Sequence, residues 1–279
     1  MARTLRTLLG GLMFGEGPRW REGRLWFSDM WAGEVVAMTP DGVRETILTA
    51  PGPVSGLGWL PDGRLLVVSM VDRRLMRREA DGSLVEHADL SAIASFHCND
   101  MVVDARGCAY VGNFGWDLAD PEAERRPAKL ARIGPDGGVS VAAEELIFPN
   151  GMAITPDGKT LIVGETFAAR MTAFDRAEDG SLSNRRVWAA LPEGSTPDGC
   201  CLDAEGAIWV ASPYTNEVLR VHEGGRISER LETGRGPYAC MLGGEARRTL
   251  FILVADAPPE ERTAGILSTE VEIAGAGWP

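Results

Sequence analysis

Histidine is scarce in this sequence of 279 residues, which contains only His87, His97 and His222. A site built from several histidines, as in many zinc and haem proteins, is therefore excluded. The five cysteines are scattered and form no Cys-x-x-Cys pair, so neither a zinc ribbon nor a disulfide framework is indicated. We expect them to be buried, reduced thiols.

Positive charge is also in short supply, with 28 Lys and Arg against 40 Asp and Glu and a formal net charge of −12. Because phosphate binding needs basic patches, we expect neither a nucleic-acid partner nor an anionic membrane. No apolar segment approaches the roughly 20 residues of a membrane helix. The N-terminal residues are expected to belong to the fold rather than to a signal peptide, which predicts a cytoplasmic protein.

Helical periodicity is almost absent, and only residues 118–126 resemble a short helical turn. Instead, one unit recurs six times. Each copy begins with a short segment, and five of the six end in a glycine. The segments are EGPRWREG (16–23), SGLGWLPDG (55–63), NDMVVDARG (99–107), NGMAITPDG (150–158), DGCCLDAEG (198–206) and YACMLGGEA (238–246). An apolar run follows each segment and predicts a strand that is buried on both faces.

A third strand and a polar edge strand complete most of these units. Six units of four antiparallel strands are typical of a propeller. The sixth unit lacks an outer strand after Ile273, and residues 2–9 have a suitable length to pair with 266–273. The sequence therefore predicts one all-β domain over 1–279: a six-bladed β-propeller with four antiparallel strands per blade, closed by an N-terminal strand.

In a propeller the innermost strands line the tunnel, so their first residues meet at one mouth. The residues in this register are Glu16, Ser55, Asn99, Asn150, Asp198 and Tyr238. Two carboxylates and two amide oxygens on one axis favour a hard divalent cation, most readily Ca²⁺, with Mg²⁺, Mn²⁺ or Zn²⁺ as alternatives. Taken singly, an Asn-Gly or Asp-Gly pair is equally typical of a turn.

Four motifs carry a resemblance to a known family: FGEGPRW (14–20), CNDMVVD (98–104), PNGMAIT (149–155) and TPDGCCLD (196–203). They resemble the senescence marker protein / gluconolactonase / luciferin-regenerating enzyme family. The resemblance implies a six-bladed propeller with one metal in the tunnel, held by Glu16, Asn150 and Asp198. It also implies that Asp198 is the catalytic acid–base and that Asn99 contacts the substrate or the metal.

Two positions depart from the animal lactonases of that family. His97 stands where they carry an arginine that contacts the sugar, and Asp117 is the nearest match to a sugar-binding glutamate. We treat both as substrate-binding candidates, with a solvated polar role as the alternative for His97. The charged segment 116–129 interrupts the third blade and is interpreted as a lid or as a solvated insertion. Four aromatic residues near strand ends are further pocket candidates: Phe96, Phe114, Trp116 and Phe167.

The chemistry expected of such a site is metal-assisted hydrolysis of a lactone, with Asp198 as the base and Asn99 stabilising the oxyanion. No Gly-x-Ser-x-Gly elbow and no phosphate-loop spacing is present. The alternatives are an organophosphate or aryl ester hydrolase on the same scaffold, and a non-catalytic binding propeller stabilised by metal. The particular lactone, the native metal and the oligomeric state stay open.

Overall fold

The computed structural model describes residues 3–256 and 261–277, which form six four-stranded antiparallel sheets. The first strand of the chain is β1 (Arg6–Leu12). The next three sheets are blade 1, with β2 (Gly15–Arg21), β3 (Arg24–Asp29), β4 (Glu34–Met38) and β5 (Arg44–Thr49); blade 2, with β6 (Val54–Trp59), β7 (Leu65–Ser69), β8 (Arg74–Arg78) and β9 (Leu84–Asp89); and blade 3, with β10 (Cys98–Val103), β11 (Ala109–Asn113), β12 (Ala128–Ile133) and β13 (Val139–Leu146).

The remaining sheets follow the same order. They are blade 4, with β14 (Pro149–Ile154), β15 (Thr160–Glu165), β16 (Arg170–Arg176) and β17 (Leu182–Ala190); blade 5, with β18 (Cys200–Leu202), β19 (Ile208–Ser212), β20 (Glu217–Val221) and β21 (Ile227–Glu232); and blade 6, with β22 (Gly236–Gly243), β23 (Thr249–Ala255), β24 (Ala264–Glu270) and β1. The first strands β2, β6, β10, β14, β18 and β22 contact one another in a closed ring. The predicted six-bladed propeller is confirmed.

Strand β1 closes the ring by pairing antiparallel with β24, from Arg6 opposite Ser268 to Leu12 opposite Ala264. The predicted closure is therefore confirmed, but its boundaries are wrong: the strand covers 6–12 instead of 2–9. Of the predicted strand, residue 2 lies outside the described residues. Two register irregularities interrupt the pairing, and Leu12 becomes fully buried at its end.

Deleting residues 1–9 should lower the melting temperature by several degrees and promote aggregation, because it removes much of β1 and exposes an edge of β24. Deleting residues 1–4 is the matched control, since it leaves Leu5 and β1 in place and removes the Arg3 contacts with Glu229 and the Glu270 carbonyl. In this comparison the 1–4 deletion takes the place of the parent. Thermal unfolding and light scattering of both variants test the idea. A 1–9 deletion as stable and soluble as the 1–4 deletion would show that β1 does not hold the ring together.

The core lies between neighbouring blades, where the second strands are buried on both faces as predicted. Trp209, Tyr110, Phe27 and Phe251 are among the largest fully buried side chains. All five cysteines are buried and free. Asp104 stabilises the turn between the first two strands of blade 3, because its Oδ1 accepts hydrogen bonds from the backbone N–H groups of Arg106 and Cys108.

The predicted helical turn at 118–126 is wrong. This segment consists of turns and irregular backbone, and the described helical turns are short 3₁₀ segments: Met30–Ala32, Thr166–Ala168 and Pro213–Thr215. Within 3–256 and 261–277, no helix has the length and apolar character needed to cross a membrane.

Candidate active site

The residues predicted to meet at the tunnel mouth lie at or beside the starts of the first strands. Glu16, Asn99 and Asn150 are each the second residue of their strand, and Asp198 stands two residues before β18. All four side chains are at least nine-tenths buried, yet all line one cavity of about 500 Å³. The cavity also contains His97, so the structure brings the predicted site residues together.

Acidic residues at the ends of second strands hold the backbone that leads into the site. In blade 1, Asp29 Oδ1 accepts hydrogen bonds from the N–H groups of Met13 (2.9 Å) and Phe14 (2.8 Å). In blade 4, Glu165 Oε2 accepts one from the N–H of Ile147 at 2.8 Å. These contacts fix the backbone just before Glu16 and Asn150.

A directional chain of hydrogen bonds orients the two amide side chains. Ser55 Oγ donates to Asn99 Oδ1 (3.3 Å), and Asn99 Nδ2 donates to Asn150 Oδ1 (2.9 Å). Asn150 Nδ2 then donates to Thr166 Oγ1 (3.2 Å), whose hydroxyl donates to the carbonyl of Pro197 (2.8 Å). Since a hydroxyl can donate only once, this order fixes which atom of each amide is the acceptor.

The carboxyls of Glu16 and Asp198 lie beside this chain and have few hydrogen-bond partners of their own. Asp198 Oδ1 is buried without a hydrogen-bond partner among the described residues, and Glu16 Oε2 accepts only from the N–H of Gly17, at 3.2 Å. Burial raises the pKa of both carboxyls well above their ordinary values. Repulsion from Asp198 and then Asp100 adds to the raised pKa of Glu16, and repulsion from Asp100 adds to that of Asp198.

Deeper in the tunnel, Asp100 forms a buried ion pair with Arg19, at 3.2 Å between Oδ1 and the guanidinium nitrogen. The Arg19 guanidinium also donates to the carbonyl of Pro18 at 2.8 Å and to that of Met101. The guanidinium is thus paired with Asp100, and no cationic side chain among the described residues forms an ion pair with the carboxyls of Glu16 and Asp198. Buried charges are normally paired or coordinated, so this site fits a divalent cation.

The donor set also limits what such a cation can be. Within 3–256 and 261–277, no group of three or more His, Cys, Asp and Glu side chains is arranged to hold a metal. The site instead offers two carboxylates and the amide oxygen of Asn150. An oxygen-only set of this kind suits a hard cation such as Ca²⁺. Metal binding by Glu16, Asn150 and Asp198 stays a prediction.

The Gly that follows Glu16, Asn150 and Asp198 has a packing role, and for Asn150-Gly151 the interpretation as a turn is wrong. Asn150-Gly151 lies inside β14, and a Cβ on Gly151 would approach the carbonyl oxygen of Asp198 to 2.2 Å. Gly17 and Gly199 likewise face the neighbouring first strand. Glycine allows the inner strands to approach closely at the mouth, which brings the polar residues of neighbouring blades together.

Gly151→Ala should therefore destabilise the protein by about 1–3 kcal/mol and displace Asp198, because backbone atoms cannot move aside as a flexible side chain can. Gly52→Ala is the matched control, since a Cβ there meets nothing within 4 Å. Chemical unfolding of both variants measures the difference. Equal stability would show that the inner strands can separate at no cost.

His97 and Asp117 both line the cavity. His97 is half-buried and stacks on Phe96, with 4.1 Å between ring centroids. Burial lowers the pKa of His97, which keeps its imidazole neutral. Asp117 Oδ1 accepts a hydrogen bond from the N–H of Ala119 at 2.8 Å, so its carboxylate partly serves its own loop. A substrate-binding role for either residue stays a prediction.

The segment 116–129 is not uniformly solvated. Trp116 is buried against Phe148 and Phe167, and strand β12 begins at Ala128. Leu118 lines the cavity while remaining exposed. The start of the segment thus forms part of the pocket, and its role as a lid stays a prediction.

Two contributors to the site were not identified as site residues from the sequence. Thr166 lies outside the six-fold register, in the turn after β15, yet it orients Asn150. Phe148 lines the cavity with a left-handed backbone, at φ 56°. Phe148 directly precedes the motif that begins Pro149-Asn150, and this position could have indicated that it belongs to the site. Nothing in the motif predicts the left-handed backbone of Phe148.

Fold and site together define a six-bladed propeller with a buried, acidic, oxygen-rich site at its tunnel mouth. A model of the family described as "SMP-30/Gluconolactonase/LRE-like region" matches residues 14–256, and the chain belongs to this family. The resemblance found in the sequence is thereby confirmed.

Similar proteins cover most of the chain. Regucalcin from Bos taurus is 26% identical over 249 residues, 86% of this chain and 83% of its own length. A 6-deoxy-6-sulfogluconolactonase from Pseudomonas putida is 27% identical over 247 residues, 86% of this chain and 82% of its own length. The solved gluconolactonase from Xanthomonas campestris is 27% identical and superposes with a TM-score of 0.77 over 96% of this chain and 89% of its own.

Proposed function

We propose that this protein is a lactone hydrolase that works with one divalent cation, most readily Ca²⁺, held by Glu16, Asn150 and Asp198. The observation that carries the proposal is the pair of buried, uncompensated carboxylates on the wall of an accessible cavity. Two of the similar proteins are named as lactonases, which supports ester-ring hydrolysis on this scaffold. When bound, the cation would supply positive charge that polarises an ester carbonyl and acidifies water.

The chain's own residues supply the proton transfer and the oxyanion contact. Asp198 Oδ1 is without a hydrogen-bond partner in the described structure, so it is available to accept a proton from the attacking water. Asn99 Nδ2 has two N–H donors, and Asn150 takes one of them. The second is available to stabilise the negative charge that develops on the carbonyl oxygen.

A substrate panel tests the proposal. Metal-stripped protein would be assayed alone and with Ca²⁺, Mg²⁺, Mn²⁺ or Zn²⁺ on neutral lactones, an aryl acetate and a phosphotriester. We expect cation-dependent turnover of lactones. Preference for the aryl acetate or the phosphotriester would point to the alternative hydrolases. A lack of turnover on every ester, despite measurable cation binding, would favour a binding propeller.

Localisation and macromolecular partners are part of the same proposal. A small-molecule hydrolase with a net charge of −12 is expected to act in the cytoplasm and to bind no nucleic acid. Cell fractionation and a mobility-shift assay with DNA and RNA test these two expectations.

A further inference from the structure

The cavity lining combines the polar side chains of Glu16, Asn99, Asn150 and Asp198 with a largely aromatic wall. This wall includes Phe14, Phe96, Phe114 and Phe148. Phe114 and Phe148 stack with 4.6 Å between ring centroids, and the Phe14 ring lies 4.5 Å from that of Tyr238. An apolar wall of this kind gains free energy by burying apolar ligand surface.

Phe148 is held in place despite an unfavourable backbone. A bulky residue at φ 56° is rare, because its Cβ crowds its own backbone. The Phe148 carbonyl accepts a hydrogen bond from the N–H of Thr166 (3.2 Å), and Trp116 and Phe167 pack against the ring at 5.5 and 5.2 Å. Several independent contacts thus fix this ring on the cavity wall, where its position sets the shape of the pocket.

The apolar lining continues to the surface. Trp31 and Leu118 both line the cavity, and they are 43% and 47% exposed. Trp31 lies in the 3₁₀ segment after the second strand of blade 1, and Leu118 lies in the loop after the second strand of blade 3. A ligand that extends out of the cavity would therefore meet apolar side chains along its length.

Polar partners for a polyol or an anion are few. Besides Glu16, Asn99, Asn150 and Asp198, the lining side chains with polar groups are His97, Asp117, Tyr238 with its hydroxyl and Trp31 with its indole N–H. None of the described lining residues is Arg or Lys. The His97 ring stacks on Phe96, and Asp117 Oδ1 already accepts a hydrogen bond from the N–H of Ala119. Each sugar hydroxyl buried without a hydrogen bond would weaken binding, and an anionic group would face the carboxylates without a cationic side chain.

We infer that the substrate is a neutral lactone with an aryl or alkyl substituent, whose ring carbonyl lies at Asp198 and whose substituent packs on the wall that includes Phe114 and Phe148. This inference rests on the proposed lactone hydrolysis and adds the substrate class. It departs from a sugar lactone, which would present hydroxyl groups to the same wall.

Matched lactones test the substrate class. On δ-lactones of equal ring size, kcat/KM should be about 10- to 100-fold higher with an alkyl or phenyl substituent at the ring carbon than for unsubstituted δ-valerolactone, because burial of such a group contributes that much. Glucono-δ-lactone and 6-phosphogluconolactone should be poorer than the substituted lactones. Rates are divided by the uncatalysed rate of each ester, so that ring reactivity does not enter.

Substitutions of Trp31, a partly exposed residue of the cavity lining, test where the substituent of the lactone binds. Trp31→Ala should raise KM severalfold more for the substituted lactone than for unsubstituted δ-valerolactone, and Trp31→Phe should restore most of the loss. Tyr214→Ala is the matched control, since Tyr214 is 69% exposed and does not line the cavity. Because Trp31 is partly exposed, its loss should not prevent folding.

Calorimetric binding of a non-hydrolysable alkyl-substituted δ-lactam separates this inference from the proposed function. Tighter binding of the substituted lactam without turnover of any lactone would overturn the hydrolase and keep the apolar site. Turnover that favours glucono-δ-lactone or the unsubstituted ring would overturn the inference and keep the hydrolase. The inference would also be contradicted if Trp31→Ala kept both the parent's preference for the substituted lactone and its affinity for the substituted lactam.

Discussion

Replacing Asp198 by Asn should lower kcat for lactone hydrolysis by about 10²–10⁴-fold even when the cation site is filled. The substitution keeps the shape of the side chain and one oxygen for a cation, but it removes the acceptor of the water proton. The hydrogen bond from Asp198 N–H to the carbonyl of Ala211 (2.9 Å) involves only backbone atoms, so the variant should retain the local fold.

The measurement must distinguish a slower catalytic step from weaker binding of the cation. Calorimetric titration fixes the cation concentration that saturates each variant, and lactone hydrolysis is then compared at saturation. Asp157→Asn is the matched control, because Asp157 is exposed and its Oδ1 only accepts turn hydrogen bonds from Thr155 and Lys159. If saturated Asp198→Asn recovered near-parental turnover, Asp198 would be a ligand only and another group would be the base.

The blade architecture could be predicted because each of the six repeats shows the same strand pattern independently. A buried second strand and a third strand recur six times, and a glycine precedes the second strand in five of the copies, so an error in one copy is corrected by the others. The closing strand had no second copy for comparison. Its partner strand was predicted correctly, but its bounds were not, because the register of Arg6 opposite Ser268 depends on local irregularities in the pairing that no pattern encodes.

The error at 118–126 has a local cause. Asp117 and Asp120 each accept a hydrogen bond from the backbone N–H two residues later, at 2.8 Å from Ala119 and 2.9 Å from Glu122. Such Asx turns compete with helix formation, because they satisfy backbone donors in another geometry. The two aspartates thus support a series of turns instead of a helical turn.

The candidate site was predictable to the extent that it follows the six-fold register. The register brought Glu16, Asn150 and Asp198 together, because equivalent residues of successive blades meet at one mouth. Thr166 could not be found in this way, since its hydroxyl reaches Asn150 from a loop outside the register. The aromatic wall was foreseen only in part: Phe96 and Phe114 line the cavity, whereas Trp116 and Phe167 pack behind Phe148.

Replacing Glu16 by Gln should weaken Ca²⁺ binding by about 100-fold or more, because loss of a direct ligand charge should cost at least as much as loss of an outer partner. The same change should make the metal-free protein more stable at neutral pH. It removes one of two buried charges that repel each other and Asp100, while the Arg19 guanidinium is already paired. Glu16→Gln should thus lower the affinity for Ca²⁺ and raise the stability of the metal-free protein.

The raised pKa of Glu16 determines how the stability of the metal-free protein changes with pH. Burial and the neighbouring carboxylates raise the folded-state pKa of Glu16 above its ordinary value of 4.5, so above that pH the folded protein binds more protons than the unfolded chain. The stability contributed by this group is complete below the unfolded pKa and is lost as the pH rises through the folded pKa. Metal-free Glu16→Gln should lose less stability over this range than the parent.

Thermal unfolding of metal-stripped protein from about pH 4 to pH 8, with and without Ca²⁺, measures both effects. The parent should gain stability on adding Ca²⁺, most strongly at neutral pH where protons no longer compete for the carboxylates. Glu193→Gln is the matched control, because Glu193 is exposed and the same loss of charge there should change neither property. A Glu16→Gln protein that is less stable without metal and binds Ca²⁺ as tightly as the parent would show that Glu16 is not a ligand.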